Sequence, residues 1–200
     1  DCDNSGAAFI KSVELEIGGQ RIDKQSGVFM EVFSELTQPN PAAITGQLTG
    51  NRVASGTGCT LYQTTTGRGG AVANNNEVYE FTTPLEFWFC RNPGLALPLI
   101  ALQYHEVKVI LDHTVATIFD ANTVNNLWVD YIYLDTDERR RFAQVSHEYL
   151  IEQVQEQSLS ESTSNDLNFN HPVKELIWTA ASDAAGAANN CSLLIPLANP

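Results

Sequence analysis

Two histidines are the residues in this sequence that first suggest metal chemistry. His105 and His113 fall on one face of a predicted strand. Strand residues eight positions apart lie roughly 26 Å from each other, so the two imidazoles cannot bind one ion. The tight His-x-His pair with a nearby Glu, which metal-binding jelly rolls of the cupin type need, is not present in the sequence. We therefore predict two structural histidines and no metal site.

Other chemical motifs are also missing. The Gly-Arg-Gly-Gly run at residues 67–70 lacks the Gly-Lys-Ser/Thr ending of a phosphate-binding loop. Glu14 and Glu16 alternate onto a strand face that we expect to be solvated, so they do not form an acid–base pair. The sequence has no nucleophile-elbow or zincin motif, and its four cysteines include no Cys-x-x-Cys pair. We predict no catalytic residues, no cofactor and free thiols.

The composition indicates a globular protein with an acidic surface. Of 200 residues, 43% are hydrophobic and 18% are charged, and the formal net charge is −13. Nucleic-acid binding relies on basic surface to neutralise phosphates, so we predict no direct contact with nucleic acid. The longest apolar run, residues 95–102, is too short to cross a bilayer, so we predict no transmembrane segment.

The N-terminal part of the chain predicts a hairpin followed by a helix. Residues 9–17 alternate apolar and polar side chains, which is typical of a half-buried strand, and Gly18-Gly19 precedes a returning strand at 20–24. Ser26 is a suitable N-cap for a helix over residues 27–36. The helix carries an apolar stripe that we predict to be core: Phe29, Met30, Phe33 and Leu36.

Residues 78–111 form the most apolar stretch of the chain. A predicted strand ends in the aromatic cluster 87–89, of which we expect at least two side chains in the core. Asn92-Pro93-Gly94 is a turn signal, and Pro98 argues against a regular helix or central strand after it. A second strand is predicted at residues 104–111, rich in Val and Ile.

The C-terminal half predicts further strands and one short helix. Residues 127–134 are apolar on both faces, which favours a central strand buried on both sides. Asp135 is a predicted cap for a helix over residues 136–143, whose Arg139-Arg140-Arg141 triplet we expect to be solvated and ion-paired. Shorter strands are predicted at residues 115–119 and 147–155.

Two polar stretches predict irregular structure. Residues 42–77 are dense in Gly, Thr and Asn, and we interpret them as a long exposed loop, with a weak hairpin at 59–63, that should tolerate replacement of residues 56–75. Residues 156–166 are rich in Ser and Glu, which indicates a linker between domains. Many short strands with long loops favour an all-β fold, a jelly-roll sandwich.

Four segments, in order, resemble the major capsid proteins of large icosahedral double-stranded DNA viruses. They are IKSVELEIGGQRID (10–23), FWFCRNPGLALPLIALQYHEVKV (87–109), YIYLDTDERRRFA (131–143) and LNFNHPVKELIW (167–178). Residues 1–8 and 42–77 match no specific part of the family. The resemblance implies two successive jelly rolls, which need about twice this length. We therefore expect a fragment, with most of the first jelly roll at 1–155, a linker at 156–166 and the first strands of the second at 167–200.

The resemblance also implies a structural function. Such proteins form homotrimers with a pseudo-hexagonal outline that tile an icosahedral shell, and loops like residues 42–77 form the outer tower of the trimer. It implies self-association, contact with neighbouring capsomers and minor capsid proteins, a place in the virion capsid and assembly in the host cytoplasm. The alternative is a carbohydrate-binding jelly roll without assembly, in which Trp88, Trp128 or tyrosines of the long loop stack on sugars.

Overall fold

The computed structural model describes residues 5–39, 61–69, 81–113, 125–160 and 163–178. The strands are Ile10–Ile17 (β1), Gln20–Ser26 (β2) and Val107–His113 (β3), which form one antiparallel sheet in the order β2-β1-β3. The helices are Ser5–Ala8 (α1), Gly27–Thr37 (α2), Leu61–Thr66 (α3), Trp88–Arg91 (α4) and Thr136–Gln144 (α5), with a 3-10 turn at Pro93–Leu95. A sheet with few helices agrees with a β-rich fold.

The hairpin of β1 and β2 forms as the sequence predicts. Gly18 and Gly19 have φ angles of 60° and 80°, the left-handed values that a tight two-residue hairpin turn requires and that glycine adopts at little cost. Opposite β2, the other edge of β1 pairs with β3, which confirms the second predicted strand with its start moved to Val107. The sheet therefore joins residues nearly a hundred positions apart.

Helix α2 begins at the predicted cap but buries a different face. Ser26 Oγ accepts a hydrogen bond from the Phe29 backbone N–H at 3.3 Å, and the helix follows at once. Its buried residues include Met30, Glu31 and Ser34, whereas Leu36 is exposed. The predicted apolar stripe is therefore wrong at Leu36, because polar groups from a distant segment cover the neighbouring face of the helix.

The hydrophobic core lies between the sheet, α2 and the aromatic cluster. Among the described residues, its buried side chains are those of Phe9, Ile10, Val13, Leu15, Met30, Phe87 and Trp88. Two of the three clustered aromatics are thus buried, as predicted, and Phe89 stacks on Phe87 with ring centroids 5.5 Å apart. The predicted strand ending at residues 87–89 is wrong, because Trp88 begins the single-turn helix α4.

Residues 127–134 differ most from the sequence prediction. They form no strand, and all their side chains except that of Leu134 are exposed, with Trp128 at 81% and Tyr133 at 89%. A two-sided apolar strand is buried only when other strands flank it and a second layer covers it. No strand in the described ranges pairs with this segment, so its apolar residues meet solvent.

The remaining predictions have mixed outcomes. Helix α5 forms with Asp135 Oδ1 accepting from the Glu138 backbone N–H at 2.9 Å, as the capping motif predicts. The sequence predicts a strand over residues 147–155, but the structure has no strand there. The strand predicted at 115–119 lies outside the described residues.

A glycine at the start of α2 generates a stability prediction. A Cβ on Gly27 would lie 2.1 Å from the Ile10 carbonyl oxygen and 2.4 Å from the Ala7 carbonyl oxygen, so α2 would have to move away from β1. We expect Gly27→Ala to lower the free energy of unfolding by about 1–3 kcal/mol, the usual cost of overpacking. Chemical denaturation of the full-length protein measures this loss.

Gly94→Ala is the matched control. The nearest atom to a Cβ at Gly94 is the Asn92 side-chain oxygen, at 3.2 Å. We expect a much smaller change there. Equal denaturation midpoints for the two variants would show that the contact between α2 and β1 is looser than described.

Candidate functional site

Arg68 is the centre of a buried polar network. Its side chain is 0% exposed. Its guanidinium donates to the Pro84 carbonyl at 3.2 Å and to the Met30 carbonyl, and both terminal nitrogens lie 3.2 Å from Glu86 Oε1. On its other side, Nε lies 3.6 Å from Glu31 Oε2. One cation thus joins α2, residues 84–86 and its own loop.

This arrangement corrects, over residues 61–69, the prediction that residues 42–77 are an exposed loop. Within the described part, residues 61–69, Gln63, Thr66 and Arg68 are buried. Helix α3 also replaces the hairpin predicted at 59–63. The sequence does not predict this burial, because the segment is polar and has no periodic pattern of apolar residues. Its polar groups can be buried because they have hydrogen-bond partners. Residues 42–60 and 70–77 lie outside the described residues.

Glycines shape the backbone around Arg68. Gly67 and Gly69 have φ angles of 64° and 72°, a left-handed conformation that most side chains rarely adopt. The Gly69 N–H donates to Glu31 Oε1 at 3.2 Å, and Gln63 Nε2 donates to the Gly69 carbonyl at 2.6 Å. The glycine-rich run is therefore a turn that places Arg68 in the interior, which agrees with the rejection of a phosphate-binding loop.

The network continues from Glu86 to the far edge of the sheet. Gln25 Nε2 donates to the Glu86 carbonyl and to Asp23 Oδ2, each at 3.0 Å. Asp23 Oδ1 then accepts from the Val154 backbone N–H at 2.9 Å. A chain of polar contacts thus extends from α2, through β2, to a segment late in the sequence.

Burial changes the protonation of the acids in this network. Loss of solvent raises the pKa of the Glu31 carboxyl to about 7, against the opposing pull of the Arg68 guanidinium. Burial also raises the pKa of Asp23, although the hydrogen bond from Val154 opposes the rise. The pKa of Glu35, one helical turn beyond Glu31, is raised by burial and lowered by Arg68 to a smaller extent.

Glutamine side chains join residues 155–157 to residues 166–170. The Gln155 amide donates to the Asn170 carbonyl at 3.3 Å and accepts from the Asn170 N–H at 3.1 Å. Gln157 likewise donates to the Asp166 carbonyl at 2.8 Å and accepts from the Asn168 N–H at 2.9 Å. Each glutamine amide thus makes the pair of hydrogen bonds that the backbone of a neighbouring strand would make. These bonds hold the two ends of the predicted linker close together.

Charged groups add a second connection between early and late parts of the chain. Arg91 lies 4.9 Å over the Phe33 ring and 2.9 Å from Glu152 Oε2, and Lys174 contacts the same carboxylate. The hydrogen bond from Lys174 lowers the pKa of Glu152. These residues are partly exposed, so we expect each pair to contribute little to stability.

The histidine and glutamate residues that the sequence analysis considered for chemistry make packing and ion-pair contacts in the structure. His113 stacks on Phe9 with ring centroids 5.3 Å apart, and Glu14 pairs with Lys24 at 2.8 Å. The residues that the structure describes contain no cluster of three or more His, Cys, Asp or Glu that could hold a metal. Helices in these same ranges are too short or too polar to cross a membrane.

The arginine triplet and the two tryptophans considered for sugar stacking differ in their exposure to solvent. Arg139, Arg140 and Arg141 are exposed, and Arg140 lies 3.5 Å from Asp137, as the predicted ion-paired face requires. Trp88 is buried in the core and cannot stack on a ligand, whereas Trp128 is exposed. Cys90 is an exposed free thiol, and the other cysteines lie outside the described residues.

Comparisons with known proteins agree with this architecture. Residues 2–135 match the family described as "Major capsid protein N-terminus", and residues 138–193 match "Large eukaryotic DNA virus major capsid protein". The major capsid protein of Pyramimonas orientalis virus is 52% identical over 91% of this chain and 45% of its own length. That of Paramecium bursaria Chlorella virus 1 is 38% identical over 85% of this chain and 40% of its own.

A solved structure gives the same result. The quasi-atomic model of the PBCV-1 virus capsid matches 85% of this chain and 42% of that chain, with 36% identity and a TM-score of 0.52. The fold and the buried network define a β-rich structural domain held together by strand pairing and enclosed polar contacts. The chain belongs to the family of major capsid proteins of large eukaryotic DNA viruses. It spans less than half the length of these relatives.

The buried cation generates a second stability prediction. Arg68→Met would keep much of the side-chain volume but leave Glu31 and Glu86 without their counter-ion. Removing one partner of a buried ion pair typically costs about 3–5 kcal/mol, and we expect a loss of that size. Thermal and urea unfolding of the full-length protein measure it.

Arg21→Met is the control, because the Arg21 side chain is 61% exposed and lies 3.9 Å from Glu14. We expect it to change stability by no more than about 0.5 kcal/mol. Replacing residues 56–75 by a Gly-Ser linker should behave like Arg68→Met, contrary to the sequence-based expectation of tolerance. Full stability of either variant would mean that Arg68 is not enclosed.

Proposed function

We propose that this chain is part of a shell-forming capsid subunit with two successive jelly rolls. On this proposal residues 1–155 supply most of the first jelly roll, residues 156–166 the linker and residues 167–200 the first strands of the second. The observation that carries the proposal is the pair of adjacent family matches, which together extend from residue 2 to residue 193.

Exposed apolar side chains support an assembling subunit. They occur on β3, at Val109, Ile110 and Leu111, and at six of the positions 127–133. Monomeric soluble proteins rarely expose contiguous apolar surface of this kind, which is typical of surfaces covered by other protein. In an assembling subunit, the rest of the protein and the neighbouring subunits would cover these apolar side chains.

The proposed assembly is a homotrimer with a pseudo-hexagonal outline. Trimers would contact neighbouring capsomers and minor capsid proteins in the virion capsid, after assembly in the host cytoplasm. The role is structural rather than enzymatic. A formal charge of −13 favours basic protein partners and a solvated surface over direct contact with the genome.

Assembly of the full-length protein tests the proposal. We expect the wild type to form trimers, measured by light scattering coupled to size-exclusion chromatography and by electron microscopy. Phe87→Ala should abolish soluble trimer, because truncating a buried aromatic typically costs about 3–5 kcal/mol. The control is Leu99→Ala, at an exposed position, which should assemble normally. A stable wild-type monomer at capsid-forming concentrations would contradict the capsid function.

The exposure of Trp128 favours one second candidate, a sugar-binding surface. Exposed aromatic rings at residues 128, 131 and 133 could stack on a carbohydrate. On that alternative, the purified protein binds a glycan array as a monomer and Trp128→Ala removes the signal. We expect no such binding. Glycan binding that requires Trp128, without assembly, would favour the alternative over the shell subunit.

A further inference from the structure

We propose that Arg68, Glu31 and Glu86 form a proton-operated latch that holds residues 61–69 against α2 and residues 84–86. The latch is closed when the cluster carries one added proton and loosens when that proton is lost. It is a property of this domain's interior and does not depend on the proposed assembly.

The count of charges in the cluster carries the inference. One guanidinium faces two carboxyl groups from different elements, and all three side chains are buried. With both acids ionised, the enclosed cluster has a net charge of −1, whereas one added proton makes it neutral. An uncompensated charge away from solvent is strongly unfavourable, so the closed arrangement favours the protonated cluster.

The contacts identify Glu31 as the group that takes the proton. Glu86 Oε1 lies 3.2 Å from both terminal nitrogens of Arg68, so this one carboxylate oxygen accepts two hydrogen bonds from the guanidinium. Glu31 Oε2 lies 3.6 Å from Nε of Arg68, and neither atom has a hydrogen-bond partner among the described residues. Glu31 Oε2 can therefore accept a proton while Oε1 keeps its bond from Gly69.

The surrounding charged groups act on the protonation of Glu31 in opposite directions. On α2, Glu35 adds negative charge near Glu31 and so favours its protonation. From the loop, Arg68 opposes protonation, and Tyr62 contacts the Ser34 hydroxyl. On the sheet side, Gln25 donates to the Glu86 carbonyl and to Asp23, and so connects the cluster to that acid.

The direction of the pH effect follows from linkage. Burial raises the pKa of Glu31 from its ordinary 4.5 to about 7, so the closed form keeps a proton that the opened form releases. The stabilisation is fully present below pH 4.5 and is lost as the pH rises through about 7. The latch is thus tighter in mildly acidic solution than in neutral or alkaline solution.

Hydrogen exchange of the full-length protein tests the latch. Between pH 5 and 6.5, we expect the protection factor of peptides spanning residues 61–69, corrected for intrinsic exchange, to fall about tenfold per pH unit. Glu31→Gln keeps the acceptor for Gly69 without a titrating proton, so its protection should be independent of pH. Glu14→Gln, at a half-buried acid on the sheet, should retain the wild-type pH dependence.

A second variant keeps the test decisive if Glu31→Gln fails to fold. Glu86→Gln leaves one carboxylate for one guanidinium, so Glu31 should ionise at lower pH and the fall in protection should shift to lower pH. The inference is overturned if wild-type protection of residues 61–69 is constant between pH 5 and 8. It is also overturned if Glu31→Gln or Glu86→Gln keeps the wild-type profile.

Discussion

The need to neutralise one enclosed guanidinium determines how the described parts of this domain fit together. Arg68 has no access to solvent, so acceptors from several elements must surround it. Met30 supplies a carbonyl from α2, and Glu31 and Glu86 supply carboxylates from elements that are distant in sequence. Any movement of α2 or of residues 84–86 would leave a buried charge unpaired. The polar network therefore fixes the position of α2 on the sheet more specifically than the small apolar core could.

The same network connects the regions that match two different family descriptions. Asp23, in the N-terminal match, accepts a hydrogen bond from Val154, in the second match, and Arg91 likewise pairs with Glu152. Gln155 and Gln157 then tie the chain to residues 166–170. Directional polar contacts of this kind fix the orientation of the later segment against the sheet.

The apolar side chains of the described residues divide into a buried cluster and an exposed one. A compact core surrounds Leu15 and Phe87, yet residues 127–134 expose large aromatic and aliphatic side chains. The hydrophobic effect favours covering such side chains with other protein. The family and the length of its members, about twice that of this chain, agree with that physical requirement.

The local elements follow from short-range patterns in the sequence. The Gly18-Gly19 hairpin, the Ser26 cap of α2 and the Asp135 cap of α5 all depend on residues within a few positions of each other, and the structure has them where the sequence predicts. The family could also be identified from the order of four short segments.

Which residues are buried depends instead on contacts between distant parts of the chain. Arg68 lies in a polar, glycine-rich stretch that predicts an exposed loop, and its partner Glu86 is 18 positions away. Burial of a charge depends on acceptors that the fold brings together, which no local pattern encodes. Conversely, residues 127–134 have the composition of a central strand, but burial there requires flanking strands that the composition of one segment cannot supply.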